Sequence, residues 1–228
     1  MTSISERLQA VRASIEQAAA VAGRPPQEVH LLAVSKAHPA SALREAYAAG
    51  QRMFGENYLQ EALAKQDELA DLPIEWHFIG PIQSNKTQAI AQHFDWVHSV
   101  DRLKIAERLN AARPTSKGPL QLCLQVNVSN EETKSGLTPD ATLILAQEIQ
   151  SLPALKLRGL MAIPGPTSDT QMQRAQFHQV RSLFQQLQQQ GFNLDTLSIG
   201  MSEDFPAAIA EGATIVRIGS AIFGPRKP

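Results

Sequence analysis

Eight short apolar runs recur along this 228-residue chain, and helical stretches alternate with them. The runs cover 29–34, 52–55, 76–79, 96–100, 120–128, 155–163, 196–199 and 215–218. The stretches between them include 40–49, 57–69, 102–112, 141–152 and 170–190, where apolar residues return three and four positions apart. In the last of these, Phe177, Val180, Leu183, Phe184 and Leu187 fall on one face of a glutamine-rich helix. The runs are apolar on both faces, as strands of a buried parallel sheet are. Eight such units in about 200 residues match a closed (β/α)8 barrel in count and length. A doubly wound open sheet competes less well, because no glycine-rich fingerprint follows the first run. Ahead of the pattern, Ile4, Leu8, Val11, Ile15, Ala18 and Ala22 predict an extra amphipathic helix, stopped by Gly23 and Pro25-Pro26. No linker or composition break divides the chain, so residues 1–228 are expected to form one barrel domain.

Composition removes several function classes. Lys and Arg total 21 against 22 Asp and Glu, a formal charge of -1, which lacks the basic footprint of a nucleic-acid binder. The same balance gives no sign of an anionic-membrane binder. No apolar run approaches the roughly 20 residues of a membrane-spanning helix. The polar start Met1-Thr2-Ser3-Ile4-Ser5-Glu6-Arg7 has no signal-peptide core, so a cytoplasmic location is expected. Cys123 is the single cysteine and lies among leucines, which reads as a buried thiol.

A barrel places its chemistry at the C-terminal ends of its strands. Lys36 ends the first run, just before Pro39 opens a helix. A lysine partly desolvated there has a lowered pKa and a neutral amine able to form a Schiff base, whereas a solvated strand-end lysine does nothing. The last two strand-to-helix turns are Gly200-Met201-Ser202-Glu203-Asp204 and Gly219-Ser220-Ala221. Barrels often hold a phosphate at these loops; Ser202, Gly219 and Ser220 would supply a hydroxyl, an open backbone and a second hydroxyl. Ordinary turn chemistry, with Ser202 as a helix N-cap, is the plainer alternative. A Schiff-base lysine opposite a phosphate cradle suggests pyridoxal 5'-phosphate. Arg217 interrupts the apolar final strand; it either pairs with a buried carboxylate or hydrogen-bonds a pyridine nitrogen and keeps it unprotonated.

Other candidates are weaker. Gly80-Pro81-Ile82-Gln83-Ser84-Asn85-Lys86-Thr87 resembles a Walker A spacing, but Asn85 replaces the second glycine and Pro81 removes an amide donor, so a helix-start turn is expected. The six histidines show no metal-ligand spacing. His30, His77 and His98 lie in strands as satisfied core or barrel-mouth residues, and His38, near Lys36, is expected at the surface, with lining the pocket as the other reading. Asn57 either reaches the barrel mouth or caps a helix. Lys134 is a loop lysine by default, with a cofactor-relaying amine as the other reading.

At these residues the sequence resembles the pyridoxal phosphate homeostasis proteins. The matching stretches are Leu32-Ala33-Val34-Ser35-Lys36, Phe54-Gly55-Glu56-Asn57-Tyr58, Trp76-His77-Phe78-Ile79-Gly80-Pro81-Ile82-Gln83-Ser84-Asn85-Lys86, Lys134-Ser135-Gly136-Leu137, Arg158-Gly159-Leu160-Met161, Gly200-Met201-Ser202, and Val216-Arg217-Ile218-Gly219. The resemblance runs nearly end to end. It implies a single barrel similar to the N-terminal domain of alanine racemase, with pyridoxal phosphate as an internal aldimine on Lys36. It further implies that Arg217 faces the pyridine nitrogen, that Ser202, Gly219 and Ser220 bind phosphate, and that Met201 and Asn57 line the pocket. The implied role is cofactor buffering or delivery, affecting amino-acid and keto-acid balance, by a monomer in transient contact with pyridoxal phosphate-dependent apoenzymes. No established turnover accompanies it; a racemase-like enzyme and a cofactor-sensing module are the competing functions. His38 departs from relatives that carry a further lysine there. Since the barrel consumes the chain, a second domain with an opposite-face base is not expected, nor is strong racemisation.

Overall fold

Every apolar run forms a strand in the computed structural model, which describes residues 2–128 and 135–225. The strands are β1 (His30–Val34), β2 (Met53–Glu56), β3 (Glu75–Phe78), β4 (Trp96–Val100), β5 (Leu120–Val126), β6 (Leu155–Ala162), β7 (Thr196–Ser198) and β8 (Ile215–Ile218). All neighbours are parallel, and β1 pairs with β8 through Leu32 opposite Arg217, so the sheet closes into a barrel. Closure leaves no strand edge exposed.

Along each strand the side chains alternate between two cores. On β5, Leu120, Leu122, Leu124 and Val126 join the large apolar cluster between sheet and helices. Cys123 instead meets Trp96 and Met161 in a small separate cluster. The positions alternating with the outer cluster on β3, β4, β7 and β8 carry His77, His98, Ser198 and Arg217, all buried. The bond between His77 and His98 runs across this interior. Most barrels fill such positions with branched apolar side chains, so this interior is unusually polar.

The outer helices are α1 (Ile4–Val21), α2 (Ala40–Ala48), α3 (Leu59–Glu68), α4 (Thr87–His93), α5 (Leu103–Ala112), α6 (Pro139–Ile149), α7 (Thr170–Gln189), α8 (Phe205–Ala210) and α9 (Ser220–Phe223). α7 buries the five predicted residues, and the Asp169 side chain accepts from the amides of Gln171 and Met172 at its start. Each of those apolar side chains contributes about 1.5–3 kcal/mol when fully buried; a charge at Val180 would break that face. α1 opens with a Ser3–Glu6 capping box and buries Ile4, Leu8, Val11, Ile15 and Ala19. Ala19 takes the fully buried place expected for Ala18, which packs at the margin. This helix lies against α8 and α9 at the other end of the sequence, where Arg7 Nε donates to Ile222 O at 2.6 Å.

Candidate functional site

The C-terminal ends of β1, β2 and β8, with the turn after β7, surround a cavity of about 170 Å3. Lys36, Asn57, Met201, Ser202, Arg217, Gly219 and Ser220 all line it, together with Val34, His38, Ile79, Ile163 and Gly224. All seven sequence-predicted positions therefore meet at one mouth. Lys134 lies outside the described residues.

Lys36 is half-buried and stands two residues beyond β1. The next residue, Ala37, has φ of 63°, a left-handed conformation that costs an alanine roughly 1–2 kcal/mol. A polar network beside the strand end holds it there. Ala37 N–H donates to Glu61 Oε1 at 2.6 Å. Lys65 Nζ donates to the same oxygen at 2.6 Å, to Glu56 Oε1 at 2.7 Å and to Ser35 O at 2.8 Å. The Ser35 hydroxyl completes the cluster by donating to Glu56 Oε1 at 2.5 Å. Glu56 is fully buried, and burial raises its carboxyl pKa even though Lys65 and Ser35 pull it down. Sequence reasoning missed Lys65. Its signal was its place on the apolar face of α3, three and six residues from Ala62 and Leu59.

Arg217 is buried in β8, yet it lines the cavity. Nη1 donates to Ser198 O and, at 2.9 Å, to Ser198 Oγ. Nη2 donates to Ala162 O at 2.9 Å. Burial lowers its pKa to about 10, which leaves it charged at neutral pH, and the nearby Asp204 opposes the shift. Its direct partners are thus barrel oxygens at the ends of β6 and β7. Among the described residues none is a carboxylate at ion-pair distance, so the buried ion pair considered from sequence is not how the charge is held. Ser198 continues into the barrel: its Oγ lies 2.8 Å from His98 Nδ1, whose Nε2 is 2.9 Å from His77 Nδ1. His77 Nε2 ends the line 2.8 Å from Glu75 Oε1. Burial lowers the pKa of both imidazoles.

The turn after β7 depends on Gly200, whose φ is 95° and where a Cβ would sit 2.7 Å from the Ala208 Cβ. Ser202 is not the expected helix cap. The chain makes one more turn before α8, and Asp204 takes the N-cap position. The Asp204 carboxylate accepts from the Met201 amide at 2.5 Å, and burial raises its pKa. This leaves Ser202 on the cavity wall. Asn57 does not cap α3 either, since Tyr58 occupies that position. Gly80 packs so tightly that a Cβ would lie 2.2 Å from Asn57 O. The Walker-like glycine therefore serves to seat Asn57. His38 is half-buried on the cavity wall rather than at the surface, tilted against Phe223 with ring centroids 5.1 Å apart. Among the described residues no group of three His, Cys, Asp or Glu is placed to hold a metal ion, and no helix is long and apolar enough to cross a membrane.

Comparison with known proteins agrees with this architecture. The family model for the N-terminal domain of alanine racemase matches residues 7–227. A pyridoxal phosphate homeostasis protein of Pseudomonas aeruginosa is 61% identical over 226 residues, covering 99% of this chain and 97% of that protein. The protein of the same name from Escherichia coli K12 is 51% identical over 229 residues, covering 99% and 98%. Among solved structures, PipY of Synechococcus elongatus with bound pyridoxal phosphate superposes with a TM-score of 0.87 at 44% identity, covering 97% of this chain and all of that one. The chain belongs to the alanine racemase N-terminal domain family and, within it, to the pyridoxal phosphate homeostasis proteins.

Proposed function

We propose that this chain binds pyridoxal 5'-phosphate at the barrel mouth and serves the homeostasis of that cofactor, holding it and yielding it to other proteins. The observation that carries the reading is the convergence of an amine, a guanidinium and two serine-bearing loops on one cavity. The residues fit the group. An engineered cavity of about 150 Å3 takes a benzene ring, so about 170 Å3 admits one six-membered aromatic ring. Asn57 Oδ1 is buried without a hydrogen-bond partner, an acceptor that a ligand hydroxyl would satisfy. At Gly219 a Cβ would come 3.0 Å from Val34 O, so glycine keeps the backbone low and open.

Lys36 would attach the cofactor covalently through its amine. Ser202, Gly219 and Ser220 would take the phosphate, Arg217 would donate to the ring nitrogen, and Met201 and Asn57 would bound the ring. When bound, the cofactor supplies an electrophilic carbonyl and an electron-withdrawing ring. Arg217 stays protonated at neutral pH, so it would donate a hydrogen bond without transferring its proton and would leave that ring a poor electron sink. This favours custody of the cofactor over turnover, in keeping with the homeostasis name of the relatives. The proposal also takes 1–228 as one domain, acting as a cytoplasmic monomer that meets pyridoxal phosphate-dependent apoenzymes transiently.

The test is the near-ultraviolet and visible spectrum of the protein mixed with pyridoxal 5'-phosphate, before and after borohydride, followed by peptide mapping. A band that reduction abolishes, with the label on Lys36, is expected. Absence of any uptake would overturn the binding site. Exchange of amino-acid α-protons with deuterated water should be negligible; robust Lys36-dependent exchange would overturn the non-catalytic role.

A further inference from the structure

Four polar residues lie in a line behind Arg217, and none of them lines the cavity. Ser198 stands on β7, His98 on β4, and His77 and Glu75 on β3. Two imidazoles inside a barrel are costly unless each ring nitrogen is bonded. Here every ring nitrogen of the pair is bonded, at 2.8 or 2.9 Å.

The direction of each bond is set at the Glu75 end and matched at the Ser198 end. A guanidinium only donates, so Ser198 Oγ accepts from Arg217 and its own proton is free for His98 Nδ1. If Ser198 gives that proton to His98, Nδ1 is the acceptor and Nε2 the donor, facing His77 Nδ1. From the other end, the Glu75 pKa is held down by its bond to His77, so the ionised carboxylate only accepts and the His77 proton must sit on Nε2. His77 Nδ1 is then an acceptor, which is what His98 requires. Burial keeps both rings neutral, as one donor and one acceptor per ring demands. The two ends agree, and no link is frustrated. Other charged groups act on the line only through space: Arg158 on Glu75, Asp95 on His77 and Asp204 on Arg217.

We propose that Ser198, His98, His77 and Glu75 form a positioning relay for Arg217, a one-way hydrogen-bond chain from a carboxylate at the N-terminal face of the barrel to the guanidinium at its mouth. The proposal rests on the mouth being the pyridoxal phosphate site. The relay keeps a Ser198 lone pair aimed at Arg217, so the guanidinium is clamped between Ser198 and Ala162 with three of its five N–H donors committed. Two donors remain for a ring nitrogen or water in the cavity. Removing the acceptor at position 75 frees His77 to move its proton to Nδ1. Every later bond would then reverse: Ser198 Oγ would accept from His98 as well as from Arg217, its own proton would lose its partner, and the hydroxyl would no longer be held in one orientation against the guanidinium.

The test uses the full chain labelled with 15N, read by long-range proton–nitrogen spectra of the histidine rings and by pyridoxal 5'-phosphate titration. Without cofactor, wild-type His77 and His98 are expected to be neutral with the proton on Nε2. Glu75→Leu should lose that single tautomer and retain cofactor about tenfold more weakly. Glu75→Gln, which keeps a carbonyl acceptor, should restore both the tautomer and affinity to within twofold. Ser198→Ala should weaken retention similarly while leaving the His77 tautomer intact. A wild-type His77 proton on Nδ1, or unchanged cofactor affinity in both Glu75→Leu and Ser198→Ala, overturns the relay. Failure of the wild type to take up cofactor instead overturns the site, and the tautomers then decide the direction of the chain alone.

Discussion

Lys65→Met isolates what the buried network beside β1 contributes. Lys65 is 4% exposed and gives its three protons to Ser35 O, Glu56 Oε1 and Glu61 Oε1. Methionine keeps most of the stem and removes the charge. Ser35 O retains the His38 amide at 3.1 Å, and Glu61 retains that of Ala37. The cost falls on Glu56, fully buried and left with only the Ser35 hydroxyl. Breaking a buried pair from one side costs about 3–5 kcal/mol. In a chain of this length each kcal/mol lowers Tm by about 2–4 °C, so the expected fall is roughly 6–20 °C at pH 7. The pH dependence has a definite sign. Burial raises the Glu56 pKa in the folded state, so its contribution to stability is full below the ordinary glutamate pKa and is lost as pH rises through the folded value. Without Lys65 the folded value climbs further and the loss widens, so the deficit against wild type should shrink near pH 5 and grow toward pH 8. Urea and thermal unfolding of Lys65→Met, Glu56→Gln and the double variant form the cycle. Glu56→Gln on top of Lys65→Met should recover most of the stability, since the uncompensated charge is gone. A Lys65→Met variant within about 1 kcal/mol of wild type, or a double variant no better than the single, would refute the reasoning.

Lys36→Ala should stay folded, with stability within about 0.5 kcal/mol of cofactor-free wild type, because Lys36 is only half-buried at a strand end; calorimetry and loss of the borohydride-fixed label check the two halves. Arg217→Lys should weaken pyridoxal phosphate retention about tenfold despite keeping the charge, since an ammonium lacks the planar fork that spans Ser198 and Ala162; equal affinity by equilibrium dialysis would reject its role. Burial pushes the Cys123 thiol to about 12, so a thiol reagent at pH 8 should modify it only at the rate of global unfolding, and rapid labelling of the native protein would contradict its placement.

The barrel was legible because eight apolar runs of strand length leave few ways to bury both faces, and strand ends shifted by only one or two residues. Lys36 and the turns at 200–204 and 219–220 could be picked out because a barrel assigns chemistry to strand ends without any knowledge of side-chain contacts, and Arg217 because it is a charge inside an apolar strand. Ser202 shows the limit: a serine before a helix reads as a cap, but Gly200 in its left-handed conformation inserts a further turn and Asp204 takes the position. His77 and His98 were legible only as satisfied core histidines. Their partnership depends on the lateral register of β3, β4, β7 and β8, which spacing along one chain does not carry.

The contact between α1 and the last helices has a consequence for synthesis. Arg7 and Ile222 are 215 positions apart. At about 5–20 residues per second, the apolar stripe of α1 leaves the ribosome roughly 10–45 s before the α8 and α9 part of the surface it covers exists. α2, which α1 also contacts, is made early, but until α8 and α9 emerge part of the stripe of Ile4, Leu8, Val11 and Ile15 is open to chaperones or to a neighbouring nascent chain on the same message.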